Sequence, residues 1–407
     1  MNAPDFPSDL IMREFYTDRI KPFIRKQIVK VFTGQRRVGK SFILYQIMNI
    51  ITKQDPQANI IYVNKEDNRF DSILTYKDLI KFVESGQNNG KTNYIFIDEI
   101  QEISEFEKAV RSLLLDGKND LYITGSNAQV FSSEIATLLG GRIVEFNIHS
   151  LSYSEFLLFH RIEDSNESLG KYFLLGGMPF LVNIGLDEKV ASEYLKNLYT
   201  TIVYRDIVSR NRVRSTRFLE QLIHYLANTT GSLFSAKSIS DYLKSQKIRI
   251  AHNQVQTFIG YMSDAYLVHR VQRFDIAGKR LFETGEKFYF EDLGIRNSIT
   301  GYRPGDYGKI LENVVHNELL YRGYTVSTGW KGSHETDFIA SRDNETIYIQ
   351  VAWKLDSEAT IEREFGNLLE IDDNYPKMVV TADEQFKNTI KGVRHLNIRQ
   401  FLTADIF

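Results

Sequence analysis

The octet GQRRVGKS at residues 34–41 constrains this 407-residue chain more than any other stretch. An apolar run, IVKVF at 28–32, precedes it, and the helical-looking stretch FILYQIM at 42–48 follows it. Strand, glycine loop and helix in that order are the context of a phosphate-binding loop of the form G-x-x-x-x-G-K-[ST]. Glycines let backbone N–H groups wrap an anion, and the helix N-terminus adds a favourable dipole. The octet therefore predicts a parallel α/β sheet with a nucleotide at its edge.

The loop supplies candidate ligands for a nucleotide and for a metal ion. Lys40 can reach the β- and γ-phosphates, and the Ser41 hydroxyl can coordinate Mg²⁺. The expected cofactors are accordingly ATP and Mg²⁺. The candidate nucleotide-binding residues are Gly34, Gln35, Arg36, Arg37, Val38, Gly39, Lys40, Ser41 and Phe42. A plain glycine turn without a nucleotide is the alternative, and the flanking strand and helix disfavour it.

A second segment, YIFIDE at 94–99, is an apolar run that ends in two adjacent carboxylates. Buried parallel strands have this unbroken apolar character, and their C-terminal ends face the ligand crevice. We expect Asp98 to hold the Mg²⁺ shell and Glu99 to polarise the attacking water. An apolar run ending in Asp-Glu is, by itself, more often a strand that meets solvent. The phosphate loop upstream favours the catalytic interpretation.

Two further residues are catalytic candidates with open alternatives. Asn127 follows the run LYITGS at 121–126, a strand expected between the loop strand and the carboxylate strand, where a polar group can sense the γ-phosphate or the water. An Asx turn explains Asn127 equally well. Arg142 ends the stretch LLGGR and can stabilise charge on a neighbouring subunit's nucleotide. The alternative for Arg142 is a solvated arginine at a helix end.

Composition restricts the class of protein. Hydrophobic residues make up 43% and charged residues 25% of the chain, as in ordinary globular proteins, and the length suggests two to four domains. Cysteine is absent, which excludes disulfides, thiolate zinc sites and cysteine nucleophiles. Neither a signal-like N-terminus nor an apolar segment of about 18 residues is present. We therefore expect a cytoplasmic protein without a membrane partner.

The pattern along the chain predicts four domains. Residues 1–150 alternate strands (28–32, 59–63, 94–98, 121–124 and 143–148) with helices, which predicts a three-layer parallel sheet. Residues 151–216 read as a helical lid broken by GGMP at 176–179. Residues 217–298 hold three helices (218–228, 236–246 and about 253–265) and a hairpin (268–282), the pattern of a winged helix. Residues 299–407 form a further α/β module with a helix (309–320), strands (324–327, 336–341 and 346–351) and a closing helix that includes 361–369.

These motifs together resemble the AAA+ class. GQRRVGKS corresponds to Walker A, IFIDE to Walker B, TGSN to sensor one and GGR to the arginine-finger position. More closely, the chain resembles prokaryotic AAA-type ATPases that carry a winged helix and a C-terminal domain related to restriction-endonuclease folds. The stretches that carry this resemblance are IFIDEIQEI (95–103), GSNAQV (125–130), LSYSEFL (151–157), GGMPFLV (176–182), YTTIVYRDIVSRNRVRS (199–215), KFYFEDLGIRN (287–297), LENVVHNELLYRGY (311–324), ETDFIA (335–340) and IYIQVAWKL (347–355). The resemblance implies ATP hydrolysis on an AAA+ core and a GxP-type turn in the lid at 177–179.

The terminal module lacks part of a nuclease centre. A restriction-like nuclease needs a helix Glu, an Asp at a strand end and an acidic-x-Lys on the next strand, so that carboxylates bind Mg²⁺ and the lysine orients water. Glu312 and Asp337 match the first two, but Gln350 and Ala352 replace the acid and the lysine. Lys354 lies two residues further along the same strand, and period-two alternation keeps it on the face of Gln350 and Ala352, so a migrated lysine is an alternative. We expect a catalytically degenerate domain that serves binding or assembly.

A local basic surface makes duplex DNA a candidate partner. Between residues 231 and 285 there are eight lysines and arginines against four acidic residues, a net charge of +4 in a chain of net charge −2. Phosphates would provide affinity, with the third helix in the groove. The basic residues of that helix entry and of the wing, with a nearby arginine cluster, are Lys247, Arg249, His252, Arg270, Arg273, Lys279, Arg280, Arg210, Arg212, Arg214 and Arg217.

The alternatives to DNA coupling come from other functional classes. One is a signalling or assembly ATPase with protein partners and no DNA binding, because charge runs are usually solvated faces. Another is an ATP-regulated nuclease. A homo-oligomer is a further candidate, because an arginine finger acts between subunits.

Overall fold

The computed structural model describes residues 10–404, except 89, 132–136, 138, 246–250, 279, 333 and 385–388. The chain divides into two compact units. Unit 1 comprises the described residues up to His149 together with Asp264–Tyr266, and unit 2 comprises the remainder. The lid, winged helix and terminal module predicted at 151–216, 217–298 and 299–407 fall almost wholly within unit 2, so their mutual boundaries stay predictions.

Unit 1 contains a five-stranded parallel sheet in the order β2-β3-β4-β1-β5. Each strand lies within two residues of its predicted position. The strands are β1 Val29–Thr33, β2 Asn59–Asn64, β3 Asn93–Asp98, β4 Asn119–Gly125 and β5 Ile143–Asn147. The α-helices are α1 Glu14–Ile20, α2 Lys40–Gln54, α3 Tyr76–Gly86 and α4 Phe106–Leu115.

The burial of the central strands explains why they read as continuous apolar runs. Every residue of β1, β3 and β4 is buried, as expected for parallel strands covered on both faces. The prediction that β4 lies between β1 and β3 is confirmed by the pairing register. Because these strands are parallel, their C-terminal ends meet at one edge of the sheet. The phosphate loop, the two carboxylates and Asn127 all follow strands that end at this edge.

Unit 2 combines helices with a mixed eight-stranded sheet in the order β12-β13-β11-β10-β9-β8-β6-β7. The strands are β6 Val268–Asp275, β7 Arg280–Phe290, β8 Thr325–Lys331, β9 His334–Arg342, β10 Glu345–Ala352, β11 Lys377–Thr381, β12 Thr389–Ile390 and β13 Val393–Asn397. The α-helices are α5 Tyr153–His160, α6 Asn166–Leu175, α7 Leu181–Ile184, α8 Glu188–Thr201, α9 Thr216–Asn228, α10 Ala236–Ser245, α11 His252–Asp264, α12 Leu293–Thr300, α13 Tyr307–Tyr321, α14 Glu358–Leu369 and α15 Ile398–Thr403. A π-helix at Ile202–Ser209 follows α8. None of the described helices has both the length and the apolar character needed to span a bilayer.

The hairpin β6–β7 corrects one expectation about unit 2. The sequence predicts a wing and a separate terminal module, but β6 pairs in parallel with β8 through Arg273–Asp275, so both belong to one sheet. The physical reason is that the second edge of β6 has backbone groups that need partners, and β8 supplies them. The sequence pattern also missed β11, β12, β13 and α15. The predicted helix breaker at 176–179 is confirmed, because α6 ends at Leu175.

Candidate active site

The phosphate loop connects β1 to α2 through residues with positive φ. Gly34, Arg37 and Gly39 have φ values of 142°, 69° and 98°. A Cβ at Gly34 would lie 2.1 Å from the carbonyl oxygen of Ile148, so a side chain does not fit there. Gly39 is the N-cap of α2 and cannot cap the first turn with a side chain. The N–H groups of that turn are consequently available to an anion.

Lys40 is held inside this loop by peptide carbonyls. Its buried Nζ donates to the oxygens of Gly34 and Gln35, each at 2.9 Å. The Glu99 Oε1 atom lies 3.8 Å from the same Nζ. The ammonium therefore lies in the loop, where phosphate oxygens would bind. It is also close to the carboxylate of Glu99, the residue that follows β3.

Asp98 and Ser41 form the candidate metal-binding pair. Asp98 is 1% exposed and accepts hydrogen bonds from the hydroxyls of Ser41, Thr124 and Tyr62. Burial, and then the neighbouring Glu99, raise the pKa of Asp98, while the bonds from Ser41 and Thr124 oppose the rise. The contact between Asp98 and Ser41 places a carboxylate and a hydroxyl side by side. Oxygen ligands of this kind fit Mg²⁺.

Glu99 occupies a strained backbone position next to Asp98. Its φ is 55°, a left-handed conformation that costs a non-glycine residue roughly 1 kcal/mol or more. Its N–H donates to Thr124 Oγ1 at 2.9 Å, and the Gln101 amide donates to its carboxylate. Burial would raise the pKa of Glu99, but Lys40 and then Arg36 outweigh it, and the pKa is lowered. An ionised carboxylate is thus held in one orientation, as a base requires.

The structure separates the two remaining catalytic candidates. Asn127 is buried just beyond β4, at the edge that carries the loop. Arg142 is exposed and immediately precedes β5, whose first residue Ile143 lies opposite Val29, the first residue of β1. A strand rises about 3.3 Å per residue, so the five residues of β1 put Arg142 about 16 Å from the loop edge. Arg142 therefore cannot act on the nucleotide of its own chain.

The other predicted loop residues differ in burial. Gln35, Arg36 and Val38 are buried, whereas Arg37 is exposed and Phe42 is 49% exposed. Arg36 forms an ion pair with Glu66 at 2.7 Å.

Several residues at the site could not be found from the motifs. Arg13 is 2% exposed, and its guanidinium donates to the carbonyls of Val38 and His149, each at 3.0 Å. Its backbone N–H donates to Gln46 Oε1 on α2. Arg13, which precedes α1, thereby fixes the phosphate loop to α2 through hydrogen bonds to both. Arg13 lies in none of the motifs, and Thr124 begins the TGSN stretch without being a predicted site residue, because tertiary contact brings both side chains to the loop.

Two of the acids singled out in unit 2 lie near each other, and the expectation for Lys354 is wrong. Glu312 and Asp337 come together, and Lys287 of β7 forms ion pairs with both. The expectation that Lys354 continues the strand of Gln350 is wrong, because β10 ends at Ala352 and Lys354 is exposed beyond it.

Two cations of the predicted DNA-binding surface already contact other residues of the chain. Arg270 bonds to Glu286, and the Arg273 guanidinium lies 4.2 Å from the centre of the Trp330 ring. Lys247, Arg249, Lys279 and the side chain of Arg280 lie outside the described part of the chain. His252 is exposed at the start of α11.

Comparison with known proteins now gives this geometry a context. The AAA domain family matches residues 26–157, which contain β1 to β5 and the loop, and a domain of unknown function (DUF8612) matches residues 166–306. An uncharacterised protein of Haemophilus influenzae is 32% identical over 399 residues, 97% of this chain and 98% of the relative. An uncharacterised protein of Methanocaldococcus jannaschii is 32% identical over 392 residues, 90% of this chain and 86% of the relative. The chain belongs to this family of AAA-domain ATPases.

A solved structure agrees with this assignment at the level of fold. The Walker-type ATPase of Pyrococcus abyssi superposes with a TM-score of 0.51 at 17% identity, over 72% of this chain and 97% of that chain. The resemblance to AAA ATPases noted from the sequence is confirmed, and ATP with Mg²⁺ is the general ligand set of such a domain. DNA binding, the winged helix and the nuclease-like terminal domain stay predictions.

Proposed function

We propose that this family member hydrolyses ATP with Glu99 as the base that prepares the attacking water. The observation that supports it most is the position of the Glu99 carboxylate, which lies beside Asp98 and 3.8 Å from Lys40. Lys40 and the N-terminal turn of α2 would hold the β- and γ-phosphates. Asp98 and Ser41 would hold Mg²⁺, which neutralises charge on the phosphates.

The chemical step is an in-line transfer to water. The water oxygen bonds to the γ-phosphorus, its proton passes towards Glu99, and the bond to the β–γ bridging oxygen breaks, which yields ADP and phosphate. Asn127, buried at the same edge, would contact the γ-phosphate or the water. The lowered pKa of Glu99 keeps it ionised to accept the proton.

We propose further that Arg142 acts on the nucleotide of a neighbouring copy. Arg142 is exposed at the end of the sheet that lies away from the phosphate loop. This position excludes a role on the nucleotide of its own chain and supports a role on the nucleotide of another chain. A homo-oligomer follows from this proposal. An arginine of this kind stabilises the charge that spreads over the transferring phosphoryl group.

The direct test is phosphate release measured against protein concentration, with Mg²⁺ and ATP, in the presence and absence of duplex DNA. The proposal expects the rate per chain to rise with concentration as neighbouring chains meet. Absence of phosphate release at every concentration would contradict ATPase activity. Release that is independent of concentration, from a protein shown to be monomeric, would contradict only the role of Arg142.

We propose that hydrolysis is coupled to duplex DNA through α9 to α11 and the hairpin β6–β7. Three helices followed by a hairpin support this, as does the net charge of +4 between residues 231 and 285. A hydrogen bond within unit 1 joins the phosphate loop to Tyr266, because the Gln35 side chain donates to the carbonyl of Tyr266 at 2.9 Å. Tyr266 follows the last residue of α11 by two positions in sequence.

The competing proposal is an assembly ATPase with protein partners. The contacts of Arg270 with Glu286 and of Arg273 with Trp330 favour it, because they occupy two cations that the DNA proposal needs. Affinity for a random duplex at several salt concentrations discriminates between the two. DNA binding through phosphates expects a linear fall of log affinity with log salt, with a slope of about −0.9 per phosphate contacted. Absence of measurable affinity at low salt would favour protein partners.

A further inference from the structure

Gln101 lies in the 3₁₀ helix Ile100–Glu102, which directly follows Glu99. It gives the two oxygens of the Glu99 carboxylate different neighbours. Oε2 accepts a hydrogen bond from Gln101 Nε2, whereas Oε1 lies 3.8 Å from Lys40 Nζ. One oxygen is therefore held by a side chain of unit 1, and the other faces the lysine of the phosphate loop.

The Gln101 amide also contacts the end of β4. Its Nε2 donates to Ser126 Oγ at 3.3 Å, and the Ser126 hydroxyl in turn bonds to the Glu99 carboxylate. Ser126 is 1% exposed and directly precedes Asn127. A Cβ at Gly125 would lie 3.0 Å from Gln101 Oε1, so a glycine there lets the amide approach the strand closely. Gln101, Ser126 and Glu99 thus form a closed set of three contacts.

The other half of the Gln101 amide is not used in the same way. Its Oε1 is buried, and none of the described residues donates a hydrogen bond to it. A buried acceptor without a donor costs free energy, and an apolar side chain of the same shape is often neutral in its place. Packing alone therefore does not explain an amide at this position. The bonds that Nε2 donates are what distinguish it from an apolar residue.

We propose that Gln101 is a positioning residue for hydrolysis, which holds Glu99 Oε2 and leaves Oε1 to accept the proton of the attacking water. The proposal rests on the proposed function of Glu99 as the base. The charges agree with it, because Gln101 and Ser126 assist Lys40 and Arg36 in lowering the pKa of Glu99 against the effect of burial. Gln101 thus fixes the orientation of the carboxylate and favours its ionised form.

The test replaces Gln101 by methionine, which keeps the length of the side chain and removes the donated bonds. Gln101→Met should bind ATP as the wild type does and release phosphate about 10-fold to 10²-fold more slowly, because displacing a catalytic group by about 1 Å costs up to about 10²-fold. The acidic midpoint of its pH profile at saturating ATP should move to higher pH, since one group that keeps Glu99 ionised is lost. A lower free energy of unfolding with an unchanged pH profile would show a purely structural role and overturn the proposal.

A matched control lies at the opposite end of β4. Gln87 Nε2 also donates to two oxygens, Asp116 Oδ2 at 3.2 Å and Asn119 Oδ1 at 3.0 Å, and Asn119 is the first residue of the strand. Gln87→Met should change neither the rate of phosphate release nor its pH profile. Equal slowing by both methionine variants would indicate a general disturbance of unit 1 and contradict the role of Gln101.

A double variant tests whether Gln101 acts through Glu99. In the Glu99→Gln background, Gln101→Met should cause no further loss of rate, because residues that act as a unit are not additive. A further loss as large as that in the wild type would overturn the proposal. Normal hydrolysis by Glu99→Gln alone would contradict the proposed function itself. Slow hydrolysis by Glu99→Gln together with a wild-type rate in Gln101→Met would contradict only the role of Gln101.

If Gln101→Met is isolated only unfolded, Gln101→Glu gives the decision, because it keeps the shape of the side chain. A carboxylate cannot donate to Glu99, and its negative charge disfavours ionisation of Glu99. Gln101→Glu should therefore slow phosphate release and also move the acidic midpoint to higher pH. A folded Gln101→Glu protein with the rate and pH profile of the wild type would contradict the proposal.

Discussion

Two buried lysines, Lys40 in unit 1 and Lys287 in unit 2, each lie next to carboxylates but are held by different groups. The carbonyls of Gly34 and Gln35 hold Lys40, and Glu99 stays 3.8 Å away. Two carboxylates contact Lys287 directly at 2.7 Å. Where the backbone holds the ammonium, the Glu99 carboxylate beside it keeps its charge. Where the acids hold it, the centre is already neutralised from within.

The pKa shifts of the two centres follow this difference. In unit 1, Lys40 and Arg36 outweigh burial and lower the pKa of Glu99, which keeps it ionised, whereas burial and then Glu99 raise the pKa of Asp98. In unit 2, burial and then Glu312 raise the pKa of Asp337 to about 8, although Lys287 opposes the rise. Glu99 in unit 1 is thus ionised and can act as a base, whereas Asp337 in unit 2 keeps its proton up to about pH 8.

The largest expected effect separates the two lysines by nucleotide binding. Lys40→Ala should abolish ATP binding, because the residue that contacts the phosphates is gone. Lys287→Met should bind ATP with wild-type affinity at a temperature where it is folded. Calorimetry with ATP measures both. Undiminished binding by Lys40→Ala would mean that the loop holds phosphate without its lysine.

Glu99→Gln should keep ATP binding and slow phosphate release by about 10²–10⁴-fold, the usual contribution of a general base. The reason is that an amide cannot accept the proton of the attacking water. Glu105→Gln is a matched control, since Glu105 also has a φ of 55° but is exposed and pairs with Lys108. Normal hydrolysis by the Glu99 variant would remove this residue from the mechanism.

If the unit 1 centre is completed by a group from another chain, Arg142→Ala should bind ATP normally and hydrolyse it more slowly, by on the order of 10³-fold. Mixing it with Glu99→Gln should restore part of the activity through hybrid interfaces. Exposed Arg111 on α4 provides an alanine control. A strictly monomeric and fully active protein would rule out the role between subunits.

A smaller effect concerns pH and the proton of unit 2. The pKa of Asp337, raised to about 8, means that the folded state binds the proton more tightly than the unfolded state. The resulting stabilisation is complete below about pH 4 and is lost as pH rises to about 8, at a rate of about 1.4 kcal/mol per pH unit. Urea unfolding at several pH values should show this loss in the wild type relative to Asp337→Asn. A pH-independent difference between them would mean that Asp337 is ionised throughout.

The last prediction is that the protein has no nuclease activity. Wild-type protein should not cleave DNA or RNA with Mg²⁺ or Mn²⁺, because Gln350 and Ala352 replace the acid and the lysine of a nuclease centre and Lys287 occupies the remaining acids. Asp337→Ala should change stability more than ATP turnover. Metal-dependent cleavage that disappears in Asp337→Ala would show that the unit 2 centre is catalytic.

The core of unit 1 was predictable from local sequence because each step is short in range. Apolar runs predict the buried strands, the glycines predict the loop, and parallel strands bring their C-terminal ends together. Lys40, Ser41, Asp98 and Glu99 therefore come together as expected. Thr124 begins the TGSN motif, but the sequence pointed to Asn127 rather than to Thr124, because the register of β4 decides which side chain bonds Asp98 and the Glu99 N–H.

The sequence by itself determined the phosphate loop, the paired acids and the alternation of strands and helices in unit 1, because periodicity and turn chemistry act over a few residues. Only the tertiary structure decided that β6 joins the terminal sheet and that Lys287, rather than Lys354, reaches Glu312 and Asp337. Strand partners far apart in the chain are selected by unsatisfied backbone groups and by the burial of charge. Both depend on which surfaces meet once the chain has folded, and no local pattern records that.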